Sequence, residues 1–345
     1  MQKNDEKILP QVSILVNNFK GTKELKFCLE SLLKTNYPNF EILVMDCCTT
    51  NFEEWMKKFP TVKFVHLDYD VGTAEQKNIS FKNCNPKSKY VCFIDDDVYV
   101  TQDWLKPLVK EIEIDSTIGM IQPVLLGYID KDKIDSLGHK MTRTGYIYKI
   151  PQTKQNLSIL KEIRCMDIFY AETALVLAQR DLLTKLSVTK EPFDGNYFIG
   201  WDDIDLSWRV WLSGHRVVIT FNSTCYHDRG HSNVLGDEKN SIVYNNARNR
   251  LITILKNYEL KNIIKYFPIT LLLECVKLLL VLRRKPIHSI ITLKAILWVL
   301  FHLNYVRKQR KKFSFLKRIQ NDELDKVFVK TNFQYLRSEL QRHYS

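Results

Sequence analysis

Residues 90–97 read YVCFIDDD, an apolar run that ends in three consecutive aspartates, Asp95, Asp96 and Asp97. A continuous apolar run of this length predicts a strand buried on both faces, as the strands of parallel sheets are. Three adjacent carboxylates repel one another, and a divalent cation among them relieves that repulsion. In open parallel sheets, ligands bind beyond the carboxyl ends of the strands. The stretch therefore predicts a cation and ligand site at a strand end, with a solvated acidic turn as the alternative.

Apolar runs on both sides of this stretch alternate with helical patterns. In residues 25–32, apolar side chains recur at the i, i+3, i+4 and i+7 spacing of one helix face. Strands are predicted at residues 12–19, 41–46, 62–67, 89–94, 118–126, 145–150, 173–178 and 216–220, and helices at 25–32, 53–59, after Gly72, at 202–212 and at 240–258. Residues 130–143 and 151–165 are predicted to be loops. Strands that alternate with helices indicate an α/β fold with a mostly parallel central sheet flanked by helices.

The composition is that of a globular protein. Of the 345 residues, 45% are apolar and 26% are charged, which excludes collagen-like, low-complexity and wholly disordered chains. The length predicts one large domain with an appendage, or two domains. The eight cysteines form no CxxC pair, so we expect free thiols in a reducing compartment. Residues 1–11 are charged and lack an apolar stretch, so no signal peptide is expected.

The net charge of +12 is concentrated in the last third of the chain. Residues 1–240 contain 30 Lys and Arg against 33 Asp and Glu, a net charge of −3, whereas residues 241–345 contain 21 against 6, a net charge of +15. A basic excess of this size indicates contact with an anionic partner. We therefore predict a main domain at 1–258 and a basic C-terminal region at 259–345.

Two apolar segments of the basic region, at 263–282 and 287–306, have about the length that spans a bilayer. Each carries charged residues near its middle. One basic cluster, at 283–285, separates the segments, and a second follows at 307–312. A spanning hairpin would place the two clusters on opposite sides, against the positive-inside tendency. We therefore predict helices that lie in the interface of an anionic membrane, with spanning helices and buried core helices as the alternatives.

Residues 201–206, WDDIDL, open a predicted helix with Asp202, Asp203 and Asp205 in its first turn. Aspartates at a helix start interact favourably with the helix dipole, and this is a sufficient structural reason for them. The functional interpretation is a carboxylate at the mouth of the sheet that takes a proton from a substrate hydroxyl. The spacing alone does not choose among the three aspartates.

Five further residues are candidates for binding. His227 follows a strand, and one imidazole with two aspartates suits Mg²⁺ or Mn²⁺, whereas no second His or Cys cluster completes a zinc site. Asp46 ends the second strand, level with the aspartate cluster. Its carboxylate is predicted to accept a hydrogen bond from a nucleotide base or ribose, and the alternative is an aspartate that only forms a turn. The next helix begins with Gly72, Lys77 and Asn78. These residues are predicted to bind a phosphate, and the alternative is that they are only polar residues of the surface.

In their order and placement, these motifs resemble those of the family 2 glycosyltransferases, which have the GT-A fold. The resemblance covers roughly residues 11–255, by motifs rather than continuously. Its motifs are VSILV and NFKG within 12–21, EILVMD at 41–46, DVG and KN within 70–78, the DxD-type cluster at 95–97, WDDIDL at 201–206 and YH at 226–227. The chain departs from the family pattern at Lys20, at residues 47–51, at Asp70 and at Lys77.

The resemblance implies an inverting transfer of a hexosyl or deoxyhexosyl group from a nucleotide-sugar donor to a lipid-linked or glycan acceptor. No QxxRW motif follows the acidic motif, which argues against a processive synthase. The resemblance also implies Mn²⁺ or Mg²⁺ held by Asp95, Asp97 and His227, and Asp203 as the catalytic base with Asp202 as the neighbouring candidate. The expected donor-binding residues are Asn18, Asp46, Gly72, Lys77, Asn78, Asp95 and Asp96.

Two other functions fit parts of this pattern. A metal-dependent nucleotidyltransferase shares the fold class and the acids, but it opens with a Gly-rich basic loop that residues 16–23 lack. A non-enzymatic protein that binds membranes or nucleic acid would use the basic tail, but the tail has no nucleic-acid motif, so no nucleic-acid partner is expected. For the enzyme, residues from about 11 to 126 are the donor half and 127–258 the acceptor half. We expect it to bind peripherally at the cytoplasmic face of a membrane.

Overall fold

The computed structural model describes residues 9–20, 23–150, 162–187, 191–229, 237–314 and 319–329. In these residues a ten-stranded central sheet is flanked by helices, and a second sheet has three short strands. The strands are β1 (Val12–Phe19), β2 (Phe40–Cys47), β3 (Lys63–Leu67), β4 (Tyr90–Asp95), β5 (Val98–Val100), β6 (Ile118–Gly127), β7 (Ile134–Ser136), β8 (His139–Thr142), β9 (Ile147–Lys149), β10 (Cys165–Asp167), β11 (Leu175–Gln179), β12 (Arg216–His227) and β13 (Phe328–Val329). The helices are α1 (Lys23–Leu32), α2 (Phe52–Lys58), α3 (Thr73–Asn83), α4 (Leu105–Ile114), α5 (Arg180–Leu186), α6 (Asp202–Leu212), α7 (Asp237–Asn257), α8 (Leu260–Leu282), α9 (Pro286–Phe301) and α10 (Leu303–Phe313).

The register of the central sheet brings polar residues to one edge. The strand order is β10-β12-β6-β11-β4-β1-β2-β3, in which β3, β2, β1 and β4 are parallel, β6 and β12 are parallel, and β11 is antiparallel to both neighbours. Asn18 of β1 pairs with Asp46 of β2, and Asn17 pairs with Asp95 of β4. Asp46 in turn pairs with His66 of β3. The carboxyl ends of four neighbouring strands therefore form one polar edge, as parallel pairing requires.

The central sheet has an apolar layer on each face, because successive side chains of a strand point to opposite sides. Ile14 and Val16 of β1 share one layer with Leu29 of α1, whereas Leu15 shares the other layer with Phe81 of α3. Burial on both faces explains why β1 reads as a continuous apolar run rather than as an alternation. The predicted α/β architecture, with a mostly parallel central sheet and flanking helices, is confirmed.

Some elements differ from those predicted. Residues 130–143 were predicted to be a loop, but they contain β7 and β8. The strand predicted at 216–220 continues to His227, because a register shift between Thr220 and Thr224 lets the chain keep pairing with β6. The sequence pattern did not identify α4 and α5, which are only ten and seven residues long. Of the loop predicted at 151–165, residues 151–161 lie outside the described part of the chain.

The C-terminal helices pack on the rest of the fold. α9 folds back on α8, where the Ser289 hydroxyl donates to the Leu278 carbonyl (3.0 Å), and it also packs on α7. Ile296 and Val299 of α9 belong to the same core as Trp208 of α6. Residues on both sides of the boundary predicted at 258 therefore share one core, so the C-terminal region docks on the main domain.

The outward side of α8 and α9 is apolar. No single helix in the described ranges has the length and hydropathy to cross a bilayer, and only α9 with α10, bent by 66° at their junction, meets those two criteria as a pair. The predicted segment 287–306 is thus divided between two helices. We define the α8–α9 apolar face by its exposed residues, which are Leu272, Leu279, Leu280, Leu282, Ile287, Ile290, Leu293 and Leu297.

Candidate active site

The acidic turn after β4 lies against the end of β12. Val98 of β5 pairs with His227 of β12, so the turn between β4 and β5 is held beside the histidine. The His227 Nε2 atom lies 3.3 Å from Asp97 Oδ1. Asp95 and Asp96 precede Asp97 in the same turn, and all three are partly exposed. The structure thus places two of the three predicted metal ligands, Asp97 and His227, beside each other, although they are far apart in the chain.

A second carboxylate holds His227 from its other side. The His227 Nδ1 atom lies 2.8 Å from Asp135 Oδ2 of β7. Arg229 Nε donates to Asp135 Oδ1 (2.6 Å), and Arg229 Nη2 donates to Glu172 Oε2 (2.7 Å). Burial lowers the pKa of His227, but its bonds to Asp135 and Asp97 outweigh burial and raise the pKa to about 10. Sequence reasoning missed Asp135, which has the position of a carboxylate that orients a metal-binding histidine.

Asp95, Asp97 and His227 stay the predicted ligands of a divalent cation. Burial raises the pKa of Asp95 to about 6, Lys77 opposes this shift, and the Asp97 carboxylate adds to it. A cation beside the two carboxylates would relieve both their repulsion and the cost of burial. Carboxylate oxygens with one imidazole are ligands that Mn²⁺ and Mg²⁺ accept.

A neighbouring cluster is less suited to a cation. Asp135, Glu172 and His227 have ligand atoms within 4.8 Å of one another. However, Arg229 bonds to both carboxylates of this cluster, so their charge is already compensated. The better place for a cation is therefore on the other nitrogen of His227, which faces Asp97.

Lys77 of α3 reaches the centre of the site. Its Nζ atom donates to Asp202 Oδ2 and to Thr173 Oγ1, both at 2.6 Å. The Lys77 and Asp202 side chains are only 4% and 5% exposed. Burial lowers the pKa of Lys77, but the charges of Asp202 and Asp95 outweigh it, and the pKa is raised overall. Lys77 is therefore a buried cation between the two acidic motifs.

The three aspartates at the start of α6 have different surroundings. Asp202 is the partner of the α3 lysine. Asp205 is fully buried, and it accepts from Arg209 Nε (3.0 Å) and pairs with Lys256 Nζ (2.9 Å). Asp203 lines a large cavity, and neither of the other two aspartates lines that cavity. The three aspartates therefore differ in their surroundings, which spacing in the sequence does not show.

Asp203 has the position and the pKa that a general base needs. The Ile204 amide donates to Asp203 Oδ1 (2.8 Å). Burial raises the pKa of Asp203 to about 8, and the neighbouring Asp202 carboxylate adds to the shift. A carboxylate whose pKa lies near the working pH is well matched to take a proton from a hydroxyl. Its catalytic role stays a prediction.

The cavity lined by Asp203 lies between α6, α7, α8 and α9 and has a volume of about 730 Å³. Aromatic side chains, hydroxyls and charged groups share its wall with apolar side chains, which is usual for small-molecule sites. The aromatic lining residues are Tyr146, Tyr170 and Trp201. The charged lining residues are Asp203 and Glu274 with Arg229, Lys239, Arg250, Lys277 and Lys285.

Asp46, predicted to hold the nucleotide, is fully buried and has three partners. Its Oδ1 atom accepts from Asn18 Nδ2 and Thr49 Oγ1, and its Oδ2 atom lies 2.6 Å from His66 Nδ1. The His66 ring is partly exposed and stacks on Phe52, with 4.3 Å between ring centroids. This cluster therefore presents His66 at its surface rather than a free carboxylate. A donor contact of Asp46 or Asn18 stays a prediction.

Gly72 and Asn78 attach residues 191–200 to α3. Gly72 has a φ of +78°, and a Cβ atom there would lie 2.5 Å from the Phe198 carbonyl oxygen, so the position requires glycine. The Asn78 amide donates to the Phe193 carbonyl (3.1 Å) and accepts from the Phe193 amide (3.0 Å). Asn78 is fully buried, so its amide is used within the protein. The predicted donor contact of these two residues stays untested.

Comparison with known sequences identifies one matching family. Residues 13–171 match the family model described as Glycosyl transferase family 2. Glycosyltransferase GlyG of Streptococcus pneumoniae serotype 4 is 28% identical over 116 residues, which are 31% of this chain and 38% of that protein. An uncharacterized glycosyltransferase of Haemophilus influenzae is 27% identical over 112 residues, 32% of this chain and 37% of that protein. The match therefore spans less than two fifths of each relative.

Two solved structures have a similar fold. GalNAc-T7, crystallised with UDP, GalNAc and Mn²⁺, has a TM-score of 0.57 at 16% identity, over 73% of this chain and 48% of that chain. The mannosyltransferase PcManGT from Pyrobaculum calidifontis, with GDP-Man and Mn²⁺, has a TM-score of 0.50 at 14% identity, over 89% of this chain and 85% of that chain. At these identities the similarity concerns the fold alone.

Proposed function

This chain is a family 2 glycosyltransferase with the GT-A fold, and we propose the reaction that it performs. It transfers a hexosyl or deoxyhexosyl group from a nucleotide-sugar donor to a lipid-linked or glycan acceptor, with inversion and without processivity. The observation that carries the proposal is the place of Asp203. It is the one aspartate of its motif that lines the cavity between α6, α7, α8 and α9, and its pKa is about 8.

The donor is assigned to the polar edge of the sheet. Asp95 and Asp96 lie at the end of β4, where the diphosphate would approach, and Mn²⁺ or Mg²⁺ would be held by Asp95, Asp97 and His227. When bound, such a cation supplies positive charge that stabilises the departing diphosphate. The fold neighbours that hold UDP or GDP-Man together with Mn²⁺ support this assignment.

The proton that leaves the acceptor hydroxyl is taken up by a residue of this chain. Asp203 takes it from the acceptor hydroxyl, whose oxygen forms the bond to the anomeric carbon as the bond to the diphosphate breaks. A single displacement of this kind inverts the anomeric carbon and releases a nucleoside diphosphate. Asp202 is unsuited to this role because it is buried and its Oδ2 atom is already bound to Lys77 Nζ. The negative charge of Asp202 also keeps the proton affinity of Asp203 high.

The acceptor is proposed to lie at the cytoplasmic face of a membrane, which the protein binds peripherally. The α8–α9 apolar face is an exposed patch of the kind that marks a binding surface. Exposed basic residues follow α8 in the chain or belong to α10, and each would add about 1 kcal/mol of attraction near an anionic leaflet. They are Arg283, Arg284, Arg307, Lys308, Lys311 and Lys312. Apolar and basic groups in neighbouring helices are typical of segments that bind at a membrane interface.

A screen of nucleotide sugars with Mn²⁺ tests the reaction. We expect one donor to release free nucleoside diphosphate, more slowly after EDTA is added. Formation of pyrophosphate from a nucleoside triphosphate and a sugar phosphate, without diphosphate release from any donor, would instead identify a nucleotidyltransferase. Vesicle binding without turnover of any substrate would indicate a non-enzymatic protein.

A further inference from the structure

We propose that the cavity beneath α8 and α9 binds an acceptor in which a phosphate or diphosphate joins the sugar to an apolar tail. This inference rests on the proposed function and names the class of acceptor that the enzyme uses. Three features of the cavity carry it. One end lies at Asp203, the other end is cationic, and the outer wall carries the α8–α9 apolar face.

Two helices set the length of the cavity. Arg250 and Lys239 of α7 both line it, as do Glu274 of α8 and Lys285 just beyond α8. At 1.5 Å per residue, each of these two pairs spans roughly 16 Å. Arg250 and Glu274 form an ion pair, so α7 and α8 are in contact at this end of the cavity. The cavity therefore runs from this ion pair toward Lys239 and Lys285.

Asp203 lies toward the Arg250 end. The Asn249 side chain donates to the Gly200 carbonyl (2.8 Å), which holds the residues before the acidic motif against this part of α7. The Arg250 guanidinium lies 3.9 Å from the centre of the Tyr146 ring, which also lines the cavity. A flat aromatic face beside a general base suits a sugar ring. The reactive end of the acceptor therefore belongs here.

Lys239, Lys285 and His288 lie at the other end. Partial burial lowers the pKa of His288, and the charges of the two lysines lower it further, so all three groups are close together. The lining as a whole has five Lys and Arg against two carboxylates. An excess of positive charge in a concave site attracts anions. Lysines bind phosphate well as point charges, which suits a phosphate at this end.

Arg250 holds the walls of the cavity together. It is 6% exposed, its Nη1 atom pairs with Glu274, and its Nη2 atom donates to the Thr144 carbonyl (2.9 Å). Its Nε atom is buried and has no hydrogen-bond partner among the residues that the structure describes. The guanidinium lies against the Tyr146 ring, and this contact holds the aromatic wall of the cavity to α7.

The wall of the cavity is also the membrane-facing surface. On α8, Lys277 and Val281 line the cavity, whereas Leu279 and Leu280 are 65% and 44% exposed on the outward side. A molecule with its polar head in the cavity and its apolar tail in the bilayer would therefore have to extend only past α8 and α9. A neutral glycan acceptor would account for neither the cationic end nor the apolar face. An amphiphile with a phosphate between sugar and tail accounts for both.

Binding of two detergents with the same tail tests the inference. We would titrate the full-length protein with dodecyl phosphate and with dodecyl glucoside below their micelle concentrations, and follow tryptophan fluorescence, since Trp201 lines the cavity. We expect dodecyl phosphate to bind at least about tenfold more tightly. In the double variant K239Q/K285Q this preference should disappear. The matched control is K106Q/K110Q, which removes two exposed lysines of α4 that belong neither to the cavity lining nor to the basic C-terminal region, and it should keep the preference.

Nucleotide binding separates the two proposals. UDP, GDP, CDP and dTDP would be titrated with Mn²⁺ on the same samples. Intact nucleotide binding in K239Q/K285Q, with the phosphate preference lost, supports the inference. Equal binding of the two detergents by the unmodified protein, or an unchanged preference in K239Q/K285Q, overturns it while intact nucleotide binding leaves the glycosyltransferase proposal in place. Failure of the unmodified protein to bind any of the four nucleotides would overturn both proposals.

Discussion

The Nζ atom of Lys77 lies 2.6 Å from Oδ2 of Asp202, and water has almost no access to either side chain. Lys77 belongs to α3, in the predicted donor half, and Asp202 begins α6, in the predicted acceptor half. The ion pair therefore joins the two halves at the level of the acidic turn. Asp202 is next to Asp203, and burial together with the charge of Asp202 raises the pKa of Asp203 to about 8.

Replacing Lys77 by Met should destabilise the fold. Removal of one partner leaves the other charge buried and uncompensated, which costs about 3–5 kcal/mol. We expect the midpoint of urea unfolding, followed by circular dichroism, to fall accordingly. The double variant K77M/D202L should recover part of the loss, because no lone charge then remains. An unchanged midpoint of urea unfolding in K77M would show that the Lys77–Asp202 ion pair does not stabilise the fold.

Asp203→Asn should abolish turnover while the fold and donor binding persist. The substitution is nearly isosteric and removes only the ability to take a proton, so we expect a rate loss of ~10²–10⁴. Single-turnover assays and nucleotide binding would be compared with the surface control Asp181→Asn. If Asp202→Asn lost turnover at full stability and Asp203→Asn did not, the base would have been assigned to the wrong aspartate.

The pH dependence of the rate should reflect Asp203. The base must be deprotonated, so kcat/KM at saturating Mn²⁺ should rise about tenfold per pH unit up to a pH of about 8 and then level off. The pKa of Asp203 is higher in the folded protein than its ordinary value of 3.8, so the folded state binds this proton more tightly than the unfolded state does. This contribution to stability is present at low pH and is lost as the pH rises through about 8. Asp203→Asn should remove this loss, as pH-dependent urea unfolding would show.

Asp135→Asn should weaken metal binding without touching a predicted ligand. Asp135 holds His227 through Nδ1, and loss of such an outer carboxylate commonly costs 10–100-fold in metal affinity. Activity measured against Mn²⁺ concentration should shift by that factor, with the maximal rate largely restored at high Mn²⁺. A merely structural Asp135 would lower the rate at every Mn²⁺ concentration equally.

The double variant L279Q/L293Q should reduce membrane binding. Each leucine is exposed on the α8–α9 apolar face, and burial of a leucine contributes roughly 1.5–3 kcal/mol. We expect cosedimentation with anionic vesicles to fall at least about tenfold, while the control Leu33→Gln, at a leucine as exposed as Leu293, leaves it unchanged. Substitution is a better test than truncation after residue 258, because truncation would also remove Ile296 and Val299 from the core. Undiminished binding in 1 M NaCl by L279Q/L293Q would exclude this face as the membrane contact.

Local patterns in the sequence were sufficient for the parallel half of the sheet and for the position of the acidic turn at the end of β4. The apolar run 90–94 and the following aspartates share one stretch, and parallel pairing alone brings Asp95 beside Asn17. His227 was found because it stands at a strand end. These features depend on burial and hydrogen bonding along one element, which sequence periodicity reports directly.

Features that depend on tertiary contacts were not predictable from the sequence. Asp135 lies in a short strand without a clear apolar pattern, and only the fold places it beside His227. Asp46 looked like an open acceptor at a strand end, but Thr49 and His66 enclose it. The choice of Asp203 required the partners of its two neighbours, which come from α3 and α7.

The attachment of residues 191–200 to α3 limits how this enzyme can be recombined. A chimera joined at residue 126 would take its acceptor half from another enzyme and leave α3 behind with the donor half. Asn78 would then face a foreign residue instead of Phe193, and Gly72 would lose the close approach of Phe198. To introduce a new acceptor specificity, α3 would therefore have to be exchanged together with the acceptor half, although the two segments are far apart in the gene.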